Sequence, residues 1–124
     1  MIVLAAMMAS MTVAEMRHQR RVLIVAAASA ADARKTAQDA ALAGMTKALA
    51  DRDVTVVELT GDTVKGAADS AASLRERWRL PKAAFGVVLV GKDGHAALRR
   101  SAPIDATTLV ATIDAMPMRR AGQR

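Results

Sequence analysis

The second half of the chain carries the pattern that most restricts the fold, because it contains a strand, a turn, a strand and a helix in succession. Residues 87–90 are apolar and mostly β-branched, which predicts a buried strand. Residues 91–94 have the sequence Gly-Lys-Asp-Gly, which predicts a tight turn with Gly94 at a positive φ. Residues 95–100 are predicted as the returning strand, and residues 104–116 as a closing helix. This half therefore predicts a β-hairpin followed by a C-terminal helix.

The first half predicts a strand, a helix and a second strand. Residues 22–28 form an apolar run typical of a strand buried on both faces. Ser29 and Asp32 are both candidate N-caps of a following helix, which is predicted to end at Ala50. Residues 54–59 are rich in β-branched side chains and predict the second strand. The short connections predict a right-handed βαβ unit with two parallel strands.

Helical patterns complete the predicted architecture. The apolar stripe of the long helix consists of Leu42, Met45 and Leu49. Gln38 falls outside this stripe. Residues 64–79 predict a weaker helix before the hairpin, with Arg75 on its polar side. The chain of 124 residues is therefore predicted to be an α/β protein with a four-stranded mixed sheet flanked by helices.

The chain contains no cysteine, which removes a whole class of chemistry. Disulfides, thiolate metal sites, thiol–disulfide exchange and peroxide reduction through a thiolate are excluded. The two histidines are His18, in a basic cluster, and His95, after the turn. Neither is accompanied by converging ligands, so we predict solvated surface histidines, no metal site and no cofactor.

The chain has a formal net charge of +6, which favours anionic partners through long-range attraction or simply keeps the protein in solution. Trp78 is the one aromatic residue among the arginines, and no known nucleic-acid-binding module is present. Both observations argue against nucleic acid as the ligand. The expected partner is an unidentified protein or a small anion, and the oligomeric state stays open.

The first fourteen residues are apolar but too few to span a bilayer comfortably. Small residues precede Glu15, as at a signal-peptidase cleavage site, although no positive charge precedes the apolar run. Two interpretations stay open. Residues 1–14 are either a signal peptide, which would make the protein periplasmic or secreted, or an N-terminal apolar segment of a cytoplasmic protein. In both cases we predict a single domain over residues 15–124.

Several segments together resemble one protein family. They are residues 21–25 with the loop 29–32, residues 51–54, Phe85 with residues 88–94, and residues 113–119. On these segments the chain resembles the family called domain of unknown function 4174, which consists of small bacterial proteins thought to be thioredoxin-like. The resemblance covers residues 16–120, and its most specific part is the Met-Pro-Met-Arg exit from the last helix.

The resemblance implies a thioredoxin-like fold with the hairpin antiparallel to the parallel strands. Related animal domains occur in extracellular proteins with sushi repeats, which implies an interaction or matrix role as much as catalysis, and no catalytic residues can be transferred. The chain departs from the family at residues 26–28, where three alanines replace the usual Phe-Ala-Pro. It also has Gly86 where a thioredoxin has its cis-proline. Both hallmarks of a thioredoxin active site are therefore absent.

The loop after the first strand is the first candidate site. In the implied fold it faces the chain that enters the third strand, and the N-terminus of the first long helix points there. Free N–H groups and a partial positive charge at that helix end attract anions. The candidate ligand-binding residues are Ser29, Asp32, Arg34 and Lys82. The alternative is that Asp32 simply caps the helix and that nothing binds.

The hairpin turn and the C-terminal tail form the second candidate site. The candidate interaction residues are Lys92, Asp93, Met116, Met118 and Arg119. The two methionines flank Pro117 and form either an exposed apolar docking edge or filler for the core. Asp93 is alternatively an ordinary turn residue, and Asp114 is predicted to be a solvated helix residue.

The sequence thus predicts a non-catalytic binding or interaction domain without thiol redox activity. Two alternatives stay open. The first is an enzyme of unknown, non-thiol chemistry at the loop after the first strand. The second is a basic patch that binds nucleic acid or another anionic surface, in which case binding should weaken steeply with added salt.

Overall fold

The computed structural model describes residues 11–117. Its elements, in chain order, are a short 3-10 helix at Ala14–Met16, β1 at Arg21–Ala27, α1 at Ala33–Ala43, α2 at Thr46–Asp51, β2 at Val54–Thr60, β3 at Thr63–Lys65, α3 at Ala71–Trp78, β4 at Gly86–Val90, β5 at Ala96–Arg100 and α4 at Ala106–Asp114. The four predicted strands are all present. The described part of the chain contains no helix that is both long enough and apolar enough to cross a membrane.

The strands form one five-stranded mixed sheet in the order β3-β2-β1-β4-β5. Strands β1 and β2 are parallel, with Arg21 opposite Val54, which confirms the predicted βαβ unit. Strand β4 runs antiparallel to β1, and β5 runs antiparallel to β4. The protein is therefore an α/β domain whose mixed sheet is flanked by helices, with β3 and β5 at the two edges.

Strand β3 is the one strand of the described sheet that the sequence pattern does not predict. It lies where that pattern predicts the start of a helix over residues 64–79. Here β3 pairs antiparallel with β2, and helix α3 begins only at Ala71, so the N-terminal part of that prediction is wrong. Gly66 explains the difference, because it has a φ of +99° and a side chain there would meet the Val56 carbonyl oxygen at 2.5 Å. That backbone conformation suits glycine and cannot continue a helix.

The central strand β1 is buried along its whole length, as its apolar run predicts. Val22 and Ile24 point to one face of the sheet, where they pack in a cluster that contains Leu74 of α3. Leu23 and Val25 point to the other face, in a second cluster formed with α2 and α4. Since alternate side chains of a strand point to opposite faces, the sheet separates two apolar cores.

The predicted long helix that ends at Ala50 is two helices in the structure, α1 and α2, and Asp32 rather than Ser29 is the N-cap of the first. Gly44 is the C-cap of α1, and Met45 precedes α2 with a φ of −111°. The break turns Met45 into the core, where it is buried. Gln38, which lies outside the predicted apolar stripe, is fully buried at 0% exposure. The helical pattern alone does not distinguish such a residue from an exposed polar one.

The packed part of the chain includes residues that precede Glu15. Met16 is fully buried and Val13 is buried, and both belong to the same apolar cluster as Ile24. The backbone N–H of Val13 donates a hydrogen bond to the Asp69 carboxylate at 2.8 Å. This N-terminal segment is therefore fastened to the loop that precedes α3.

Candidate functional site

The first predicted site is a self-contained loop at the carboxyl end of β1. Asp32 is the N-cap of α1, and its Oδ1 accepts a hydrogen bond from the Arg34 backbone N–H at 2.8 Å. The Arg34 guanidinium folds back onto the same carboxylate, with Nη2 3.0 Å from Oδ2. Ser29 Oγ accepts a bond from the Ala31 N–H at 3.3 Å. Asp32 and Arg34 are therefore paired with each other.

This pairing changes the acidity of both groups. The hydrogen bond from the Arg34 side chain, together with one from its backbone N–H, lowers the pKa of Asp32 below its ordinary value. The same side-chain bond raises the pKa of Arg34. The charges cancel locally, and the carboxylate occupies the N–H group at the start of α1 that an anion would use.

Lys82 has an ionic partner other than Asp32. The Arg34 guanidinium lies over the Phe85 ring at 5.6 Å from its centroid, so the loop does lie against the chain that enters β4. Lys82, however, forms an ion pair with Asp62 in the β2–β3 turn, at 3.1 Å. Both side chains of that pair are exposed. The structure thus groups Ser29, Asp32 and Arg34 on one loop, with the Lys82 charge engaged elsewhere.

Sequence reasoning missed the part that Arg75 plays beside this loop. Its guanidinium is half-buried and donates hydrogen bonds to the carbonyl oxygens of Gly61, at 2.9 Å, and Pro81, at 3.0 Å. A third, longer bond of 3.5 Å reaches the carbonyl of Ala27 at the end of β1. One arginine therefore connects three chain segments. Its acceptors are backbone groups, which leave no signal in a side-chain pattern.

The second predicted site is an open pocket of about 330 Å³ at the opposite end of β1, which we call the hairpin pocket. Its apolar wall is formed by Ala96, Ala97, Met116 and Pro117. Its polar lining is contributed by Arg21, Lys92, Asp93 and His95, together with the backbone of Gly91. Three of the predicted interaction residues, Lys92, Asp93 and Met116, therefore line one pocket. Met118 and Arg119 lie outside the described residues.

Lys92 is fixed in this pocket by charge pairing. Its side chain is 8% exposed, and its Nζ lies 2.9 Å from Oδ2 of Asp53. Arg20 lies 3.7 Å from the other oxygen of the same carboxylate. The Lys92 carbonyl accepts a hydrogen bond from the His18 N–H at 2.7 Å. Since buried charges need partners, this pairing makes Lys92 a fixed part of the pocket wall.

The apolar wall is fixed by a second set of contacts. Arg21, at 1% exposure, donates from Nε to the sulfur of Met116 at 3.2 Å and from Nη1 to the carbonyl of Arg52 at 2.6 Å. Arg52 in turn forms a two-point hydrogen bond with Asp114 at 3.0 and 3.1 Å. Asp114 is a helix residue whose side chain is 43% exposed, as predicted, and the pairing with Arg52 is the feature that the sequence did not indicate.

Asp93 and His95 form the rim of the pocket, and both are exposed. Asp93 accepts a hydrogen bond from the His95 N–H at 3.0 Å, which is the ordinary role of an aspartate in a turn. Gly94 has a φ of +85°, which confirms the predicted positive value.

Met116 is half-buried and packs at the margin of the core cluster that contains Ile113. It is therefore both a core contact and a surface of the pocket.

The pocket lies where the segments that carry the family resemblance meet. Arg21, residues 51–54, residues 91–94 and Asp114 with Met116 all contribute to the pocket or to the contacts behind it. The loop at Ser29 lies at the other end of β1, about 20 Å away for a seven-residue strand. That separation places Ser29 far from His95 and leaves no serine–histidine arrangement between them.

Neither site has the ligands of a metal centre. Within residues 11–117, no group of three or more histidine, aspartate or glutamate side chains is placed to hold a metal ion. The residues described at the two sites offer apolar contact, hydrogen bonding and charge pairing.

Comparison with known proteins agrees with the resemblance described above. No curated protein and no solved structure matches the chain. The sequence model of one family, described as "Domain of unknown function (DUF4174)", matches residues 12–122, which is most of the chain. The protein is therefore a member of the DUF4174 family, and the matched region contains the hairpin pocket and every candidate site residue.

Proposed function

We propose that this protein is a non-catalytic binding domain and that the hairpin pocket is its binding site for a segment of a partner protein. The observation that carries the proposal is the pocket itself, an open cavity of about 330 Å³ with an apolar wall and a polar rim. Protein binding pockets typically combine apolar walls with a few fixed polar groups. Ala97 and Met116 would receive an apolar side chain, and Asp93 and His95 would bond to the backbone beside it.

The fixed geometry of the pocket supports this proposal. Lys92 is locked by Asp53, and the Met116 sulfur accepts a bond from the buried Arg21. A wall whose side chains are already ordered loses little conformational entropy when a ligand binds. The first loop offers less for chemistry, because the Asp32 carboxylate is already paired with Arg34.

We further propose that the domain is a thioredoxin-like fold that works without the thioredoxin reaction. The strands β2, β1, β4 and β5 have the order and directions expected for that core, and α1 and α2 together connect the parallel pair. The absence of cysteine supports a role in binding.

A peptide selection tests the binding proposal. Twelve-residue random peptides displayed on phage are selected on the immobilised full chain, and enriched peptides are synthesised with a fluorophore for polarisation measurements. The test variant is Ala97→Leu, which fills the pocket from an exposed position. The matched control is Ala40→Leu, on an exposed position of α1.

The proposal expects enriched peptides to bind Ala97→Leu at least tenfold more weakly than Ala40→Leu. If no peptide is enriched, or if both variants bind the peptides equally, the hairpin pocket is not the binding site. Circular dichroism of both variants checks that each is folded before the comparison is made.

A further inference from the structure

The edge strand β5 begins at the wall of the hairpin pocket and is open on its outer side. Ala96 and Ala97 line the pocket, and β4 is the one strand that pairs with β5 in the described sheet. Four of the five residues of β5 are exposed, and Leu98 is half-buried. The open edge of a strand presents unpaired N–H and C=O groups, which can pair with another extended segment.

The pairing of β5 with β4 contains one irregularity. Leu98, Arg99 and Arg100 pair in regular register with β4, whereas Ala97 is an extra residue between the pairs of Ala96 and Leu98. A bulge of this kind bends the strand locally and redirects side chains. Here it lies at the pocket wall, so the regular part of the edge leads directly into the pocket.

An accumulation of positive charge accompanies this edge. Arg99 donates hydrogen bonds to the carbonyl oxygens of Trp78 and Arg79, which brings the C-terminal end of α3 beside β5. Within residues 11–117, no carboxylate forms an ion pair with Arg79, Arg99 or Arg100. Neighbouring Arg77 also lacks an ion pair there and lies over the Trp78 ring. The edge therefore has an uncompensated cluster of arginines, which we call the arginine edge: Arg77, Arg79, Arg99 and Arg100.

The arginines of β5 are distributed over both faces of the sheet. Arg99 pairs with Val88, which belongs to the core cluster on the α3 side. Arg100 pairs with Val87, which belongs to the cluster on the α4 side. Because successive residues of a strand point to opposite faces, an added strand would meet a guanidinium on each side. Adjacent carboxylates in that strand would then each face an arginine.

We propose that β5 docks an extended acidic segment of a partner protein, which adds to the sheet as a sixth strand and places an apolar side chain in the hairpin pocket. This inference rests on the proposed function, since it uses the same pocket and adds the identity of the ligand. Main-chain hydrogen bonds to β5 supply affinity, and the carboxylates opposite the arginine edge supply the choice of partner.

The same charges argue against a second copy of this chain as the occupant. Antiparallel pairing of two β5 strands centred on Leu98 would place Arg99 opposite Ala97 and Arg100 opposite Ala96. The arginines of both copies would then lie along one interface with no carboxylate of β5 between them, and like charges in one sheet are destabilising. An acidic strand reverses the sign of that interaction. The arginine edge therefore opposes self-association and favours an acidic partner.

Four capped eight-residue peptides with a fluorophore provide the test with the full chain. The acidic peptide has a central leucine–valine pair between glutamate pairs, and its isosteric control has glutamine at every glutamate position. The other two peptides carry N-methyl groups on alternate residues of the acidic sequence, each in one of the two phases, so that one of them blocks pairing with β5. Binding is followed by fluorescence polarisation at low and moderate salt.

The charge-reversal variant is Arg79→Glu/Arg100→Glu. Within residues 11–117, the hydrogen bonding of these two side chains consists of one bond from Arg100 to the Arg99 carbonyl. The matched control is Lys47→Glu/Lys65→Glu. It changes the net charge by the same amount, but on α2 and on the opposite edge strand β3. We expect the acidic peptide to bind the native chain and the control within about threefold of each other, and the arginine variant at least tenfold more weakly. One phase of N-methylation should abolish binding.

Different failures have different meanings. If the glutamine peptide binds as tightly as the acidic one and Ala97→Leu weakens both, the acidic-strand inference is overturned while the pocket keeps its proposed function. If no peptide binds, here or in the phage selection, both proposals are overturned. Stronger competition by a twelve-nucleotide single-stranded DNA, or a dimer in sedimentation of the free chain that Arg100→Glu alters, would also overturn the acidic-strand assignment.

Discussion

The side chain of Gln38 forms a closed pair of hydrogen bonds with the backbone of Ile104. Its Nε2 donates to the Ile104 carbonyl at 3.0 Å, and the Ile104 N–H donates to its Oε1 at 2.7 Å. Both residues are buried. A helix side chain thus satisfies both backbone groups of Ile104, just before α4 begins. This contact fixes the position from which α4 reaches the hairpin pocket.

Replacing Gln38 with methionine should therefore be costly although the side chain keeps a similar size. The variant would leave the buried N–H and carbonyl of Ile104 without partners, and we expect a loss of about 2 to 4 kcal/mol in the free energy of unfolding. Urea unfolding followed by circular dichroism measures it. Lys47→Met, at an exposed position, is the control. A Gln38→Met chain as stable as the control would show that the pair contributes nothing.

The Arg52–Asp114 pair should stabilise the wall of the pocket. Arg52 also donates to the Ala48 carbonyl at 3.0 Å, so it joins α2 to α4. We expect Arg52→Ala to lower the free energy of unfolding by about 1 to 2 kcal/mol, with little rescue by Arg52→Lys because lysine cannot make the two-point contact. The exposed Lys82–Asp62 pair is the contrast, and Lys82→Ala should cost less than about 0.5 kcal/mol. Equal unfolding midpoints for the Arg52 and Lys82 variants would contradict this view.

A chain that begins at Glu15 should be less stable than one that begins at Met11. The shorter chain loses the buried Val13 side chain and the bond from its N–H to Asp69. Loss of one buried valine removes about 2 kcal/mol of apolar stabilisation. Thermal unfolding of both chains, with Asp69→Ala in the longer one to isolate the hydrogen bond, gives the comparison. If the two chains unfold at the same temperature, the packing of this segment does not contribute to the stability of the protein.

The Asp32–Arg34 pair predicts a dependence of stability on acid. Because the pKa of Asp32 is lowered in the folded protein, its contribution is fully present above the ordinary pKa of 3.8 and is lost as the pH falls through the folded pKa. Asparagine preserves the cap without the charge. We therefore expect Asp32→Asn to unfold at a lower temperature than the native chain at pH 7, with the difference shrinking toward pH 2. A constant difference across that range would show that the charge is irrelevant.

Much of the fold could be predicted because apolar runs and turn residues are local signals. The central strand β1 and the turn at Gly94 follow from periodicity and from glycine stereochemistry. Strand β3 could not be recognised, because three residues carry no measurable alternation. The burial of Gln38 depends on a partner 66 positions away, and such contacts leave no trace in a helical pattern.

The sequence predicted which residues form the candidate site better than it predicted the contacts that hold them in place. Lys92, Asp93 and Met116 were identifiable from the turn and the tail, and the structure brings them to one pocket. The sequence did not indicate that Asp53 forms an ion pair with Lys92, since that pair joins residues 39 positions apart. Nor could it reveal that Arg99 brings the end of α3 to β5, because the acceptors are backbone carbonyls.

Trp78, the single tryptophan of the chain, has a position that gives the protein a built-in optical reporter. Its indole is buried in the cluster on the α3 side of the sheet, with Arg77 over the ring, and its carbonyl accepts a bond from Arg99 of the edge strand. Intrinsic fluorescence excited at the indole band therefore monitors one core and one edge, with no background from a second tryptophan or from tyrosine. Changes in the cluster on the opposite face of the sheet should alter this emission very little. Fluorescence and circular dichroism together can therefore reveal whether the two faces unfold as one unit.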